Sequence, residues 1–133
     1  MSIFAPITQR RLEALVIMLS AGAAYGVIGF SWGTFALLFM VPDLSIAVYL
    51  VGPRAGNLAY NCAHFYAWPV ALGLYGLAAG VPGAQQIALI WAAHVAFDRA
   101  LGWGLKTGGS FLDTDMGVQQ LPVSAGFLEA QPE

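Results

Sequence analysis

Charged side chains are what this sequence has least of. Five basic and seven acidic residues serve 133 positions, so 9% are charged where a soluble domain carries about 25%. So few charges cannot cover a water-facing surface, and 59% of the residues are hydrophobic. An integral membrane protein is the class that composition selects, and the lipid bilayer is its first partner. The net charge of −2 leaves no basic patch, which argues against nucleic acid as a partner. A single cysteine, Cys62, excludes a disulfide within one chain and any thiolate metal framework, and in its apolar context it reads as a small core residue. There is no helical HExxH motif, no convincing internal repeat and no low-complexity segment.

What the sequence has in abundance is long apolar runs. A membrane-crossing helix needs about 20 mostly apolar residues. Four runs meet that need, at about 12–29, 34–51, 56–79 and 85–105. They are separated by turn-forming stretches at Phe30-Ser31-Trp32-Gly33, Gly52-Pro53-Arg54 and Gly80-Val81-Pro82-Gly83. The expected fold is therefore an all-α membrane protein, a four-transmembrane-helix bundle. Residues 1–11 precede it, residues 12–106 form the bundle, and 107–133 form a tail rich in Gly, Ser, Asp, Gln and Pro. The first run, preceded by Arg10 and Arg11, reads as an uncleaved first helix because three more runs follow. Arg10, Arg11, Arg54 and Lys106 flank the spans on one side, while the turns around Trp32 and Pro82 carry no charge. Basic flanks mark the cytoplasmic side, which puts both termini in the cytoplasm.

Against that apolar background, a few polar residues stand out. Between Arg11 and Lys106 the charged residues are Glu13, Asp43, Arg54, Asp98 and Arg99, joined by His64 and His94. An ionisable group at bilayer depth costs roughly 2.5–3.5 kcal/mol or more, so each one needs a functional or structural account. At about 1.5 Å of rise per residue, Asp43 lies about 12 Å from the basic end of its span, His64 about 15 Å, Asp98 about 12 Å and His94 about 18 Å. His94 and Asp98 are four residues apart and share a helix face, as do Tyr60, Asn61 and His64. Pro42, just before Asp43, removes a helical hydrogen bond and predicts a kink there.

Carboxylates that converge beyond what one arginine can neutralise must take up protons or meet a cation. Two imidazoles with carboxylates are an N/O donor set suited to a divalent metal ion such as zinc, iron or manganese. Asp43, His64, His94 and Asp98 are the candidate metal ligands of a metal-assisted hydrolase opening to the cytoplasm. Tyr60 or Asn61 would polarise a substrate oxygen, and Arg99 would hold an anionic group. Three other functions fit the same residues. One is a structural or accessory subunit of a larger membrane complex, in which the polar groups specify helix packing, with Asp98 paired to Arg99. Another is a proton-linked or small-ligand transport module, which with four short spans implies a homo-oligomer. The last is a haem held between His64 and His94.

Several local strings carry a family resemblance. They are Pro42-Asp43-Leu44-Ser45, Tyr60-Asn61-x-x-His64 followed by Pro69, and Trp91-x-x-His94-x-x-x-Asp98-Arg99-x-Leu101-Gly102-x-Gly104-Leu105-Lys106. Together they resemble the domain of unknown function 4260 family of small bacterial integral membrane proteins, over most of the chain up to about Gly117. The resemblance implies a multi-pass protein of the bacterial cytoplasmic (inner) membrane and no established activity. The family's tail carries Thr-His-Leu-Gly, where this chain has Thr114-Asp115-Met116-Gly117, so any role of that histidine is missing here.

Overall fold

A computed structural model describes residues 5–108 and 111–118. The chain is all-α apart from one small hairpin. In order it forms α1 (Pro6–Ile28), α2 (Trp32–Leu38), a 3₁₀ segment (Val41–Leu50), α3 (Pro53–Ala63), α4 (Ala67–Ala78) and α5 (Pro82–Leu101). The hairpin pairs β1 (Asp113–Thr114) with β2 (Gly117–Val118), antiparallel. Helix α5 is the central element: α1 and α4 pack along it, and α3 packs against the 3₁₀ segment.

Two stretches, Pro6–Ile28 and Trp32–Leu50, are long and apolar enough to cross a membrane. The second run is not one α-helix. Ser31 caps α2 by accepting a hydrogen bond from the Thr34 N–H, and α2 ends at Leu38. Pro42 cannot donate to the Leu38 carbonyl, and its ring disfavours the α conformation at the residue before it. The chain then winds tighter over ten residues, with the Asp43 N–H donating to the Met40 carbonyl and the Ser45 hydroxyl to the Pro42 carbonyl. Runs of 3₁₀ helix beyond three or four residues are uncommon and often mark a functional segment.

The third apolar run is divided as well. It forms α3 and α4, with His64, Phe65 and Tyr66 between them. Pro69 has no N–H to offer the Phe65 carbonyl, which accepts instead from the Trp68 N–H at 3.3 Å. The carbonyls of Ala63 and His64 thus lose their helical partners. Helix α5 replaces them: the Trp91 indole N–H donates to the Ala63 carbonyl at 2.6 Å, and Arg99 reaches the His64 carbonyl at 3.5 Å. Non-helical backbone in a protein interior is tolerated where other groups satisfy the freed carbonyls, as these two side chains do.

The interior is built from small residues and rings. Ala84, Ala88, Ala93 and Ala96 of α5 are buried with Tyr25, Tyr60, His64 and His94, while Val27, Leu37, Leu50 and Val51 face outward. Cys62 is exposed on the outer surface, contrary to its expected place in the core: the α3 face turned inward is that of Gly56 and Tyr60. Helices α4 and α5 approach closely at Gly76, where an added methyl would sit 2.8 Å from the Gln85 backbone nitrogen and 3.1 Å from the Ala84 side chain. Gly22 of α1 has open space around it. Gly76→Ala should therefore destabilise the protein by about 1–3 kcal/mol. Gly22→Ala should be neutral or slightly stabilising, since alanine is the better helix former. Thermal unfolding of both variants in detergent checks this, and equal midpoints would contradict the close approach.

Candidate metal centre

The two irregular segments and α5 meet at one point. Asp43 comes from the first turn of the 3₁₀ segment, His64 from the break after α3, and His94 and Asp98 from successive turns of α5. Winding sets the level of Asp43. Eight residues separate it from Val51, and at about 2.0 Å of rise per 3₁₀ residue that is about 16 Å rather than the 12 Å of an α-helix. The tighter winding lengthens the run from Asp43 to Val51 by about 4 Å.

One donor atom from each of the four residues lies within 4.8 Å of all the others. The His64 and His94 Nε2 atoms are 3.2 Å apart. The Asp43 Oδ1 atom is 3.3 Å from His64 Nε2 and 3.4 Å from His94 Nε2. The Asp98 Oδ2 atom is 3.3 Å from His64 Nε2 and 3.8 Å from His94 Nε2. Both imidazoles are almost fully enclosed, with residue exposures of 2% and 1%.

Those separations can be tested against a metal ion. With metal–ligand bonds of about 2.0–2.2 Å, the donors of a tetrahedral site stand about 3.3–3.6 Å apart. Of the five separations that involve an imidazole nitrogen, four fall within about 0.1 Å of that range and the His94–Asp98 one is slightly longer; the sixth, between the two carboxylate oxygens, is within 4.8 Å. The protonation pattern agrees. His64 Nδ1 lies 2.9 Å from the Tyr60 carbonyl, which can only accept, so Nδ1 carries a proton and Nε2 is the ring nitrogen turned toward the cluster. Fixing a ligand's tautomer through its far nitrogen is the usual role of a supporting partner at a metal site. His94 Nδ1 is buried without a hydrogen-bond partner.

No direct ion pair with Lys or Arg holds the two carboxylates; the Lys106 ammonium, on the Tyr60 ring, acts on both only through space. Among the described residues, neither Asp43 nor Asp98 has a Lys or Arg within ion-pair distance. Arg99, expected beside Asp98, turns to the other side. It stacks over the Tyr66 ring at 4.8 Å and lines a polar cavity of about 350 Å³ with Arg10, Glu13, Tyr66 and Asp115. Two carboxylates with two imidazole nitrogens are an N/O donor set of the kind that holds a divalent ion. The residues present fit such an ion.

A haem does not fit. With iron–nitrogen bonds near zinc's of about 2.0–2.1 Å, trans-axial nitrogens stand about 4 Å apart with the macrocycle between them. Here the two nitrogens are 3.2 Å apart, and both carboxylates occupy the same space.

Tyr60 and Asn61, adjacent in α3, take different places. The Tyr60 ring stacks on His64 at 3.8 Å, and its hydroxyl donates to Asp98 Oδ2 at 3.1 Å. Both ends of the Asn61 amide are spent on Lys106: Oδ1 accepts from its N–H at 2.6 Å and Nδ2 donates to its carbonyl at 2.9 Å. Sequence reasoning gave Lys106 only the role of an interfacial flank. It is buried, with its ammonium among the rings of Tyr60, Trp103 and Phe111 and donating to the Phe111 carbonyl. Trp91 was also missed as a bracing residue; its place in the His94–Asp98 string was the available signal. Asp115 accepts from the Leu105 N–H at 2.8 Å and lies 4.0 Å from Arg10, so the tail is fastened to α1 as well.

Asn61→Ala should leave the Lys106 peptide groups unsatisfied and cost about 1–3 kcal/mol. The measurement is thermal unfolding in detergent with limited proteolysis of the tail. Unchanged stability and unchanged cleavage would contradict the clamp.

Comparison with known proteins adds one finding. No curated protein and no solved structure is significantly similar to the chain. A family model described as domain of unknown function (DUF4260) matches residues 8–118, which contain all four donor residues together with Tyr60, Asn61, Arg99 and Lys106. The chain belongs to the domain of unknown function 4260 family.

Proposed function

We propose that the chain is a multi-pass protein of the bacterial cytoplasmic membrane that binds one divalent ion, zinc, iron or manganese, for a metal-assisted hydrolysis. The observation that carries this is the meeting of two imidazole nitrogens and two carboxylate oxygens within 4.8 Å of one another, with no direct Lys or Arg ion pair to either carboxylate among the described residues. A bound divalent ion would supply Lewis-acid polarisation and lower the pKa of water, taken up at a position beyond the four protein donors. The chain's own residues do the rest. Tyr60 orients Asp98 through its hydroxyl and fixes the His64 tautomer through its carbonyl. Phe39 closes the site from α2's end, with its ring edge-on to His94 at 5.2 Å. Asn61 keeps Lys106 and the tail against α3. Arg99, with no carboxylate within ion-pair distance among the described residues, is available to an anionic group in the polar cavity it shares with Arg10, Glu13 and Asp115.

The membrane topology we infer has four crossings and cytoplasmic termini. α1 is the first, α2 with the 3₁₀ segment the second, α3 with α4 a broken third, and α5 the fourth. Outward-facing Val27, Leu37, Leu50 and Val51 support lipid as the surrounding solvent. The contact of Arg10 with Asp115, which also accepts from the Leu105 N–H, supports a common end for the Arg10 and Lys106 flanks, as cytoplasmic flanks require. A fluorescent reporter fused after the tail should be active, and alkaline phosphatase inserted at Gly80–Gly83 should be active too. The reverse pattern would contradict the orientation.

One observation favours a second function. An Nε2–Nε2 distance of 3.2 Å is also that of a hydrogen bond sharing one proton, and Asp/His chains at membrane depth serve proton relays. Metal content separates the two. Detergent-purified protein should hold about one divalent ion per chain, and His94→Ala and Asp98→Ala should each lose most of it. Full occupancy in both variants would remove these residues as ligands. Metal-free wild-type protein that stays empty when offered zinc, iron or manganese would favour the relay.

A further inference from the structure

The face of α5 that carries His94 and Asp98 continues toward the start of that helix through Trp91, Ile90 and Ile87, at the three- and four-residue spacing of one helical stripe. Those three residues form one wall of a cavity of about 280 Å³, and Leu38, Val41 and Pro42 form the other. Pro42 is followed directly by Asp43. Both walls therefore run into candidate metal ligands.

The cavity is apolar throughout. Among its lining side chains the one polar atom, the Trp91 indole nitrogen, is already committed to the Ala63 carbonyl. Water needs two to four polar partners to occupy such a space, and these side chains offer none. An apolar cavity of about 150 Å³ accepts benzene, so this one takes roughly ten carbon atoms by proportion. Val41 and Ile87 stand at its rim, 48% and 46% exposed, so the cavity opens sideways onto the outer apolar surface. The polar cavity beside Arg99 has charged walls and does not suit a hydrocarbon chain.

We propose that this cavity holds the hydrocarbon tail of an amphiphilic substrate whose polar, reacting group lies at Asp43, His64, His94 and Asp98. The inference rests on the metal-centre function above and specifies its substrate class: a single-chain acyl or alkyl compound with a hydrolysable head, entering from the lipid. A bilayer lipid filling the groove would be indifferent to the centre. The continuity of both walls with the donor residues is what selects a substrate instead.

Alkyl hydroxamates test this, since their head chelates divalent ions and their chain length can be varied. Binding of the series from acetohydroxamate to decanohydroxamate is measured on the zinc-loaded full chain in detergent. Wild type is compared with Val41→Trp and Ile87→Trp, which fill the cavity from opposite walls, and with Leu44→Trp, which alters an exposed position of the same 3₁₀ segment outside it. Partition into micelles is common to all four proteins and cancels in their ratios. Acetohydroxamate should bind all four equally. Affinity should then rise about fourfold per methylene in wild type and Leu44→Trp. In the two cavity variants it should stay nearly flat. Should one of these variants fail to fold, the other decides the matter. Parallel chain-length series in all folded proteins would overturn the tail cavity and leave the metal centre standing. Failure of acetohydroxamate to bind zinc-loaded wild type would overturn the metal centre, and the substrate class with it.

Discussion

Two carboxylates facing two imidazoles, with no lysine or arginine at ion-pair distance, is the arrangement around which the rest of the structure is organised. Carboxylates in a low-dielectric interior repel one another, and desolvation adds several kcal/mol per ion. Such a cluster persists only if a cation or protons hold it together. The fixed His64 tautomer and the edge lengths of the donor set favour one divalent ion. Its binding energy would stabilise the fold as well, because the ligands come from three separate segments.

The helix breaks follow from that demand. A straight α-helix through 34–51 would shorten the run from Asp43 to Val51 by about 4 Å, the difference in rise over eight residues. A continuous helix through 56–79 would leave no bend at His64. In each case a proline, Pro42 or Pro69, weakens the helical ladder near the ligand. Trp91 and Arg99 then satisfy the carbonyls freed by the second break. Both braces sit on α5, the same helix that carries His94 and Asp98. One rigid element thus supplies half of the ligands and supports a third.

Much of this was legible in the residues. The scarcity of charge and the four apolar runs gave the all-α class, and the i, i+4 spacing gave the shared face of His94 and Asp98. Intramembrane Asp43 and His64 were suspicious by type alone, and depth counting put all four at similar levels. Other features were not legible, for physical reasons. Pro42 announced a kink, but a ten-residue 3₁₀ segment depends on packing against α3, which periodicity does not encode. The break after His64 requires side chains of α5 to replace lost hydrogen bonds, a long-range condition. Arg99 adjoins Asp98 in sequence, yet neighbours on a helix point some 100° apart, and Arg99 follows the other face toward Tyr66. Asn61 looked like a polar group of the site because it adjoins Tyr60, and for the same reason of phase it faces the tail instead.

The first coordination shell of the loaded protein tests the central claim most directly. X-ray absorption at the zinc edge should show about four nitrogen and oxygen neighbours at about 2.0–2.2 Å, with the outer scattering of two imidazoles. A sulfur neighbour at about 2.3 Å, or a six-oxygen shell without imidazole, would place the ion elsewhere and contradict the shared centre.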